Sequence, residues 1–304
     1  MPLQRYIRIA ISLVLTVPFL LHATGTLRLG LLEQLENIAY DTRLQLTLPG
    51  TVDRRVVVVA IDEASLNRVG HWPWPRDVLA RLVDQLHGRY DVRALGFDVV
   101  FAERDESRAL QVLRRLARGP LADDPAFRAQ YRRLAPQLDR DRSFARALDN
   151  HRRTILGFFF RNQVQRGTED AVGRLPQPLV PGGRARIDSL PLIEPEGYGA
   201  NLGILQRAAA GGGFFDNPLV SRDGVFRRIP LIQQYGGRLY GLLALETTRA
   251  ALGWPEVDLE VASQGGGYRA IEAVRMGERR IPVDEQGAVL VPYRGPQNSF
   301  PYVS

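Results

Sequence analysis

Apolar residues along this chain follow two spacings, and both occur in the stretch 56–86. The run 56–61 is apolar and rich in valine, which is typical of a strand buried on both faces in a parallel sheet. Asp62 follows it, where the carboxyl edge of such a sheet would lie. After the WPWP step, apolar residues recur at helical spacing over 78–86, and Pro75 suits the first helical turn. The stretch therefore predicts a strand, a loop and a helix, the first half of a βαβ unit.

Two further apolar runs, 94–101 and 154–160, are also predicted strands, and Asp98 lies near the end of the first. The charged segment 103–150 between them has helical periodicity. Three strands separated by helices predict an α/β fold with a mainly parallel βαβαβ sheet and a helical insertion. Toward the C-terminus, Asp-Gly and Gly-Gly turns separate shorter strand patterns and a helix over 239–252. This last pattern predicts a mixed or antiparallel C-terminal part.

Two glycine-containing stretches are predicted to be irregular. Residues 163–200 are richer in proline and glycine and show weak periodicity, which indicates a loop or lid. The triplet Gly211, Gly212 and Gly213 follows no predicted strand and opens no predicted helix. We therefore interpret it as a flexible turn and not as a dinucleotide-binding loop. No phosphate-binding loop, nucleophile elbow or kinase signature occurs in the sequence.

The N-terminal segment has the pattern of a transmembrane helix. Residues 9–27 contain no Asp, Glu, Lys or Arg, a length close to that needed to cross a bilayer, and Arg5 and Arg8 precede them. The positive-inside rule then places the N-terminus in the cytoplasm and the rest of the chain outside. A cleavable signal peptide is the alternative, because small residues near Ala23 would suit cleavage. The predicted organisation is a membrane anchor, a juxtamembrane helical segment and a folded domain, at residues 1–28, 29–50 and 51–304.

Composition and charge narrow the function classes. The chain has no cysteine and no lysine, which excludes disulfides, thiolate metal sites, Schiff-base chemistry and a P-loop lysine. The net charge of +7 is concentrated over 104–166, where 15 arginines stand against seven acidic residues. These arginines alternate with acids, as on a solvated helix face, and no nucleic-acid recognition motif accompanies them. The four histidines are scattered. We therefore expect no nucleic-acid partner, no metal and no cofactor.

Acidic residues after the first two predicted strands are the first candidates for chemistry. If those strands are parallel neighbours, Asp62 and Asp98 leave the sheet at one carboxyl edge, where open α/β sheets bind ligands. Two carboxylates there would suit a cation such as Mg²⁺, the beginning of a hydrolase site. No nucleophile, lysine or paired histidine completes such a site. The alternatives are a ligand contact, and a structural role in which the carboxylates accept loop N–H groups or pair with Arg76.

The WPWPR loop and a later arginine are the other candidates. Trp72 and Trp74 would stack on a ligand, and Arg76 would bind a carboxylate with its planar guanidinium. The structural alternative is a rigid loop that fills the core and starts a helix. Arg227 would bind an anion or pair with a nearby aspartate such as Asp223. The candidate ligand-binding residues are therefore Asp62, Trp72, Trp74, Arg76, Asp98 and Arg227, and none of them is predicted to be catalytic or metal-binding.

A series of segments occurs in order from Leu32 to Ser304: LEQLENIAYDTRLQL, VVVVAIDEASLNRVGHWPWPRD, ALGFDVVFAE, SRDGVFRRIPL, GLLALETTRAALG, and IPVDEQGAVLVPYRGP with FPYVS. WPWPR is the most specific of these motifs. In this order they resemble the CHASE2 domain, an extracytoplasmic sensor module of bacterial membrane receptors. The resemblance implies an N-terminal membrane span and a periplasmic α/β sensor domain. It also implies that the end of the sensor domain, further membrane helices and a cytoplasmic output domain would follow Ser304.

The sequence thus predicts the sensing domain of a bacterial transmembrane receptor, incomplete at its C-terminal end and without catalysis of its own. The resemblance implies that a nucleotide cyclase, diguanylate cyclase or kinase supplies the output. The expected partners are a small-molecule or protein signal, the membrane and a second copy of the chain in a homodimer. The expected location is the inner membrane, with the domain in the periplasm. Two alternatives stay open: an exported metal-dependent hydrolase using Asp62 and Asp98, and a structural remnant without a ligand.

Overall fold

A computed structural model of the chain describes residues 2–23, 29–162, 170–179, 190–263 and 269–304. These residues form a mixed α/β fold with parallel and antiparallel sheets. They divide into two compact units, the first containing Met1–Ser65 with Pro292–Ser304 and the second containing Leu66–Val291. The predicted loop or lid at 163–200 lies partly outside the described residues.

Nine helices occur in the described residues: α1 Pro2–Ala23, α2 Gly30–Leu46, α3 Glu63–Val69, α4 Arg76–Gly88, α5 Arg108–Arg118, α6 Pro125–Leu138, α7 Arg140–His151, α8 Gly203–Ala208 and α9 Leu243–Ala251. The same residues contain fourteen strands: β1 Val58–Val59, β2 Leu95–Phe97, β3 Thr154–Arg161, β4 Ala171–Val172, β5 Gly197–Gly199, β6 Gly211–Phe214, β7 Arg228–Pro230, β8 Ile232–Tyr235, β9 Arg238–Gly241, β10 Val257–Ser263, β11 Arg269–Met276, β12 Arg279–Pro282, β13 Ala288–Leu290 and β14 Tyr302–Val303.

The predicted N-terminal transmembrane helix is wrong. Within the described residues, no helix is both long enough and apolar enough to cross a membrane. Of the uncharged run, residues 9–23 belong to the described helix α1. At 1.5 Å per residue they extend about 22 Å, which is short of the ~30 Å hydrocarbon core of a bilayer. Residues 24–28, the rest of the predicted span, lie outside the described residues.

In the first unit, the predicted first strand is short and paired on one edge. β1 runs parallel to β14, with Val58 opposite Tyr302, and among the described residues no other strand pairs with β1. Val57 and Val59 are 48% and 40% exposed. The expected strand buried on both faces is therefore not formed, because within this part of the chain only one neighbouring strand covers it.

The second unit is built around β3. Both β2 and β6 run parallel to its N-terminal half, with Leu95 opposite Thr154 and Gly211 opposite Ile155. β5 pairs antiparallel with its C-terminal end, and β4 lies beyond β5. The helices α5 to α7 form the predicted insertion between β2 and β3. The sheet is mixed and not mainly parallel, and β1 is absent from its described strands, so the βαβαβ prediction is wrong in its first strand.

The third parallel strand of this sheet is β6, which the sequence pattern predicted to be a flexible turn. Glycine is unfavourable within a strand, so a segment with three successive glycines is not predicted to be a strand. The structure shows why they are there. A Cβ atom added to Gly213 would lie 2.5 Å from Leu243 Cα, and one added to Gly96 in β2 would lie 2.7 Å from Thr247 Oγ1. The glycines therefore allow α9 to pack directly on the backbone of the sheet.

The rest of the second unit is antiparallel, and two apolar clusters support it. β8 pairs with β9, β10 to β12 form a three-stranded sheet, and β13 pairs with β7. One cluster contains Phe158 and Phe214 with side chains from α9 and from β10 and β11. The other contains Leu79 and Phe144, through which α4 and α7 pack together. The predicted helix 239–252 begins later than expected, at Leu243, because β9 occupies its first residues.

The glycine packing makes a testable prediction. We expect Gly213→Ala to lower the free energy of unfolding by about 1–3 kcal/mol or more, because the new methyl group must displace the backbone of α9. Urea unfolding followed by circular dichroism measures this change. Gly88→Ala is the matched control, because its Cβ would meet only His151 Cε1 at 3.9 Å. Equal stability of the two variants would contradict the prediction.

Candidate functional site

The WPWPR loop is built into the core of the second unit. Trp74 is buried and donates its indole N–H to the carbonyl oxygen of Gly70 at 2.8 Å. Trp72 packs edge-on against it, with the ring centroids 5.8 Å apart, and keeps 37% of its surface exposed. Trp74 therefore fills the core, whereas Trp72 offers part of its ring to solvent.

Arg76 begins α4 and is held by four interactions. Its backbone N–H donates to Asp105 Oδ2 at 2.7 Å, and its Nη2 donates to the carbonyl oxygen of Glu103 at 2.7 Å. The guanidinium carbon lies 4.6 Å from the centre of the Phe101 ring, and Nε lies 3.9 Å from Asp141 Oδ1. Arg76 is only 8% exposed. The guanidinium therefore braces the loop from inside, and its geometry differs from that of an open ligand-binding fork.

Burial governs the titration of this network. It lowers the pKa of Arg76, and the charges of Asp141 and Asp105 act in the opposite direction. Burial also raises the pKa of Asp141, against the N–H bond from Asp105 and the charge of Arg76. Each charge is therefore costly to bury alone and depends on its partners.

Asp62 lies in the first unit and caps a helix. It directly precedes α3 and accepts the backbone N–H of Ser65 at 2.9 Å, which is the geometry of an N-cap. The hydroxyl groups of Ser65 and Ser304 also donate to it, at 2.8 and 2.7 Å. These bonds, led by the Ser65 N–H, lower the pKa of Asp62 to about 2.

The two remaining candidates, Asp98 and Arg227, belong neither to the Arg76 network nor to the helix cap at Asp62. Asp98 follows β2 and is exposed. Asp62 and Asp98 follow strands of different sheets, so the parallel pairing on which their shared edge was predicted is not observed. Arg227 is buried and binds Asp223 through both guanidinium Nη atoms, at 2.9 and 2.8 Å. The structure thus joins only Trp72, Trp74 and Arg76 of the six candidates.

Sequence reasoning missed a cavity of about 1,000 Å³ within the second unit. Its lining contains tyrosines, Trp254, Glu246 and five arginines, Arg152, Arg174, Arg207, Arg238 and Arg249. The arginines follow α7 and β4 or lie in α8, β9 and α9, so no local motif contains them. The glycine triplet was the available signal, because glycine within a strand often marks the close approach of another group.

The floor of the cavity is polar and fixed by hydrogen bonds. Gly211 and Gly212 contribute to its lining beside the amide of Gln206, which donates to the carbonyl oxygen of Gly211 at 3.2 Å. Gln206 in turn accepts from the buried Asn201 at 3.2 Å, and Asn201 also donates to the carbonyl oxygen of Gly157 at 2.9 Å. This chain of bonds orients the Gln206 amide before any ligand arrives.

One wall contains a buried ion pair beneath an aromatic ring. Arg249 donates from Nη1 to both carboxylate oxygens of Glu246, at 3.1 and 2.8 Å, and from Nε to the carbonyl oxygen of Pro255 at 3.1 Å. Burial raises the pKa of Glu246, and Arg249 opposes this shift. The Arg249 guanidinium also lies 5.3 Å from the centre of the Trp254 ring. The charge of Arg249 is therefore largely balanced by Glu246 and by the other groups of this wall.

The other arginines divide by their partners. Arg152 pairs with Asp149 at 2.9 Å. Arg238 hydrogen-bonds the hydroxyl group of Tyr240, whose pKa is raised by burial. Within the described part of the chain, Arg174, Arg207 and Arg238 form no ion pair with a carboxylate, and all three are exposed. The five arginines of the lining therefore outnumber its one acidic residue, Glu246.

The chain matches the family model of the CHASE2 domain over residues 12–304. The chain therefore belongs to the CHASE2 domain family, and the resemblance stated from the sequence is confirmed. CHASE2 domains are extracytoplasmic sensor domains and not catalytic ones. No curated protein and no solved structure matches the chain.

The Arg76 network makes the second prediction. We expect Arg76→Met to lower the free energy of unfolding by about 3–5 kcal/mol, because it leaves a buried carboxylate without its counter-charge. The double variant Arg76→Met/Asp141→Asn should recover part of this loss. Urea unfolding measures both, with the exposed Arg81→Met of the same helix as control. A loss no larger than that of the control would contradict a bracing role.

The helix cap makes a pH prediction. Asp62 has a pKa of about 2, below its ordinary value of 3.8, so the stability it contributes is present above that ordinary value and is lost as the pH falls toward about 2. A carboxyl ¹³C NMR titration should show this pKa, and Ser65→Ala should raise it. Ser107→Ala, which removes the cap of α5, is the control and should leave it unchanged. An unchanged titration in Ser65→Ala would show that the Ser65 hydroxyl does not hold the carboxylate, because the variant keeps the backbone N–H of residue 65.

Proposed function

We propose that this chain is the sensing domain of a bacterial transmembrane signalling receptor and that its cavity receives the signal. The output it controls would be a nucleotide cyclase, diguanylate cyclase or kinase. Membership of an extracytoplasmic sensor family supports the sensing role. The observation that carries the location is the cavity of about 1,000 Å³, which combines a preorganised floor with arginines that have no carboxylate partner among the described residues. Homodimerisation stays a prediction of the sequence.

The cavity suits a receptor site better than the WPWPR loop does. Arg76 already uses its guanidinium on Glu103, Phe101 and Asp141, and Trp74 is packed in the core. A ligand would have to displace these contacts. Arg174 and Arg207, by contrast, lie at the cavity surface without a described carboxylate partner.

The cavity lining also gives a means of coupling. Its residues come from β4, α8, β6, β9 and α9, which belong to separate parts of the second unit. A ligand that binds one arrangement of these elements more tightly than another shifts their populations by that difference in affinity. Contact alone would produce no signal.

No observation on the described residues favours the metal-dependent hydrolase, and we do not propose it. Asp62 and Asp98 follow strands of separate sheets and belong to different units. Within the described ranges, no three His, Cys, Asp or Glu side chains are grouped to hold a metal ion.

A receptor chimera tests the proposal. The chain is joined to the membrane and diguanylate cyclase portions of a CHASE2 receptor, and cyclic dinucleotide output is measured in cells across growth media. We expect Arg174→Gln/Arg207→Gln to abolish medium-dependent changes in output, because the signal would no longer bind. Arg132→Gln, an exposed arginine of α6 outside the cavity, should respond like the unmodified chain. Unchanged regulation in the double variant would place the signal elsewhere.

A further inference from the structure

We propose that the cavity binds a small organic anion that carries at least two negative charges and a planar ring. This proposal rests on the proposed function in one respect, that the signal binds in this cavity. The chemistry of the ligand follows from the charges, the exposed ring and the size of the cavity.

Two of the arginines that line the cavity, Arg174 and Arg207, pass close to the same point at the start of α8. A Cβ atom added to Gly203 would lie 3.1 Å from Arg207 Nη1 and 3.7 Å from Arg174 Cδ, so both side chains cover the start of α8. Neither side chain forms an ion pair with a carboxylate of the described ranges, and like charges close to each other repel. An anion between two guanidinium groups removes this repulsion and accepts paired N–H bonds from each.

The number of charges follows from the arginines that remain unpaired. Glu246 neutralises Arg249, and Asp149 pairs with Arg152. Arg174, Arg207 and Arg238 are left at the cavity without a carboxylate partner in the described ranges. A monoanion would balance one of these three charges, whereas a dianion or trianion would balance most of them.

Trp254 supplies a surface for a planar group. Its ring lines the cavity and stays 39% exposed, although tryptophan usually buries most of its ring. Its backbone has φ of 63°, a left-handed conformation that a bulky side chain rarely adopts. The bond from its N–H to the carbonyl oxygen of Arg249 at 2.8 Å and the Arg249 guanidinium hold it there. Strain of this kind persists where the surroundings impose it, often at binding sites.

An inorganic ion would fill only a small part of the cavity. Its volume of about 1,000 Å³ is at the upper end of the range for sites of drug-sized ligands. A phosphate or sulfate ion would contact the arginines and leave the aromatic wall bare. A molecule of nucleotide size that joins a phosphate or carboxylate group to a ring would contact both.

Matched probes test the two halves of this ligand. Titration calorimetry on the purified chain compares ADP with adenosine, which lacks the charge, and with pyrophosphate, which lacks the ring. Benzene-1,3,5-tricarboxylate and citrate form the same comparison for carboxylates and so distinguish the two anion chemistries. We expect at least one charged ring compound to bind about tenfold or more tightly than its uncharged or ring-free counterpart. Its affinity should fall as salt is raised.

Variants then locate the binding. Arg174→Gln/Arg207→Gln should weaken that probe by about tenfold or more, because charged hydrogen bonds are lost. Arg132→Gln removes the same kind of charge from α6 and should change the affinity little. Binding should quench tryptophan fluorescence, and Trp254→Phe should remove the quenching while binding persists. All variants change exposed side chains, and their melting temperatures confirm folding.

The outcomes separate this inference from the proposed function. Tight binding of adenosine that the double arginine variant does not weaken, or failure of every charged ring compound to bind at millimolar concentration, overturns the polyanion assignment. The receptor chimera can still show regulation through the cavity in that case. If the cavity variants leave the regulated output of the chimera unchanged but a charged ring compound binds as expected, the proposed function fails and the ligand assignment stands.

Discussion

The close packing of α9 against a strand of glycines is the constraint on which the second unit depends. Neighbouring residues of a strand face opposite sides of the sheet. Gly213 lies against Leu243 of α9, where a Cβ atom would clash with the helix backbone, whereas Gly212 lies beside Gln206 at the cavity floor. The absence of side chains on β6 therefore does two things. It brings α9, with Glu246 and Arg249, close to the sheet, and it lets the cavity residues Gln206 and Trp254 approach the backbone of the strand.

Arginine is the only strongly basic residue of the chain, and the structure uses it in two ways. Arg76 and Arg227 are buried, and each is matched by carboxylates, a carbonyl group or an aromatic ring. Their charge stabilises the fold and leaves little for a ligand. Arg174 and Arg207 lie at the cavity with no carboxylate partner among the described residues. Burial beside such partners thus distinguishes structural arginines from candidate binding ones, although the residue type is the same.

The local pattern of apolar and polar residues correctly predicted the elements whose buried face is lined by apolar side chains. The helical spacing after Pro75 predicted α4, and the apolar runs before Asp98 and after residue 153 predicted β2 and β3. The same rules were wrong where the type of side chain does not indicate how the strand is paired or buried. β1 has the composition of a central strand but pairs on one edge, and β6 has no side chains until Phe214. Within the described residues, no N-terminal helix is long and apolar enough to cross a membrane, so charge pattern alone overestimated the span.

The sequence by itself determined the family, through motifs kept in order, and the position of a rigid WPWPR loop ahead of a helix. It also limited the chemistry, because cysteine and lysine are missing. Only the tertiary structure decided which charges are free. The cavity arginines are far apart in the chain and are brought together by β3 and its neighbours. Pairing, burial and the close approach of backbones depend on such distant contacts, and a linear pattern of apolar and polar residues does not encode them locally.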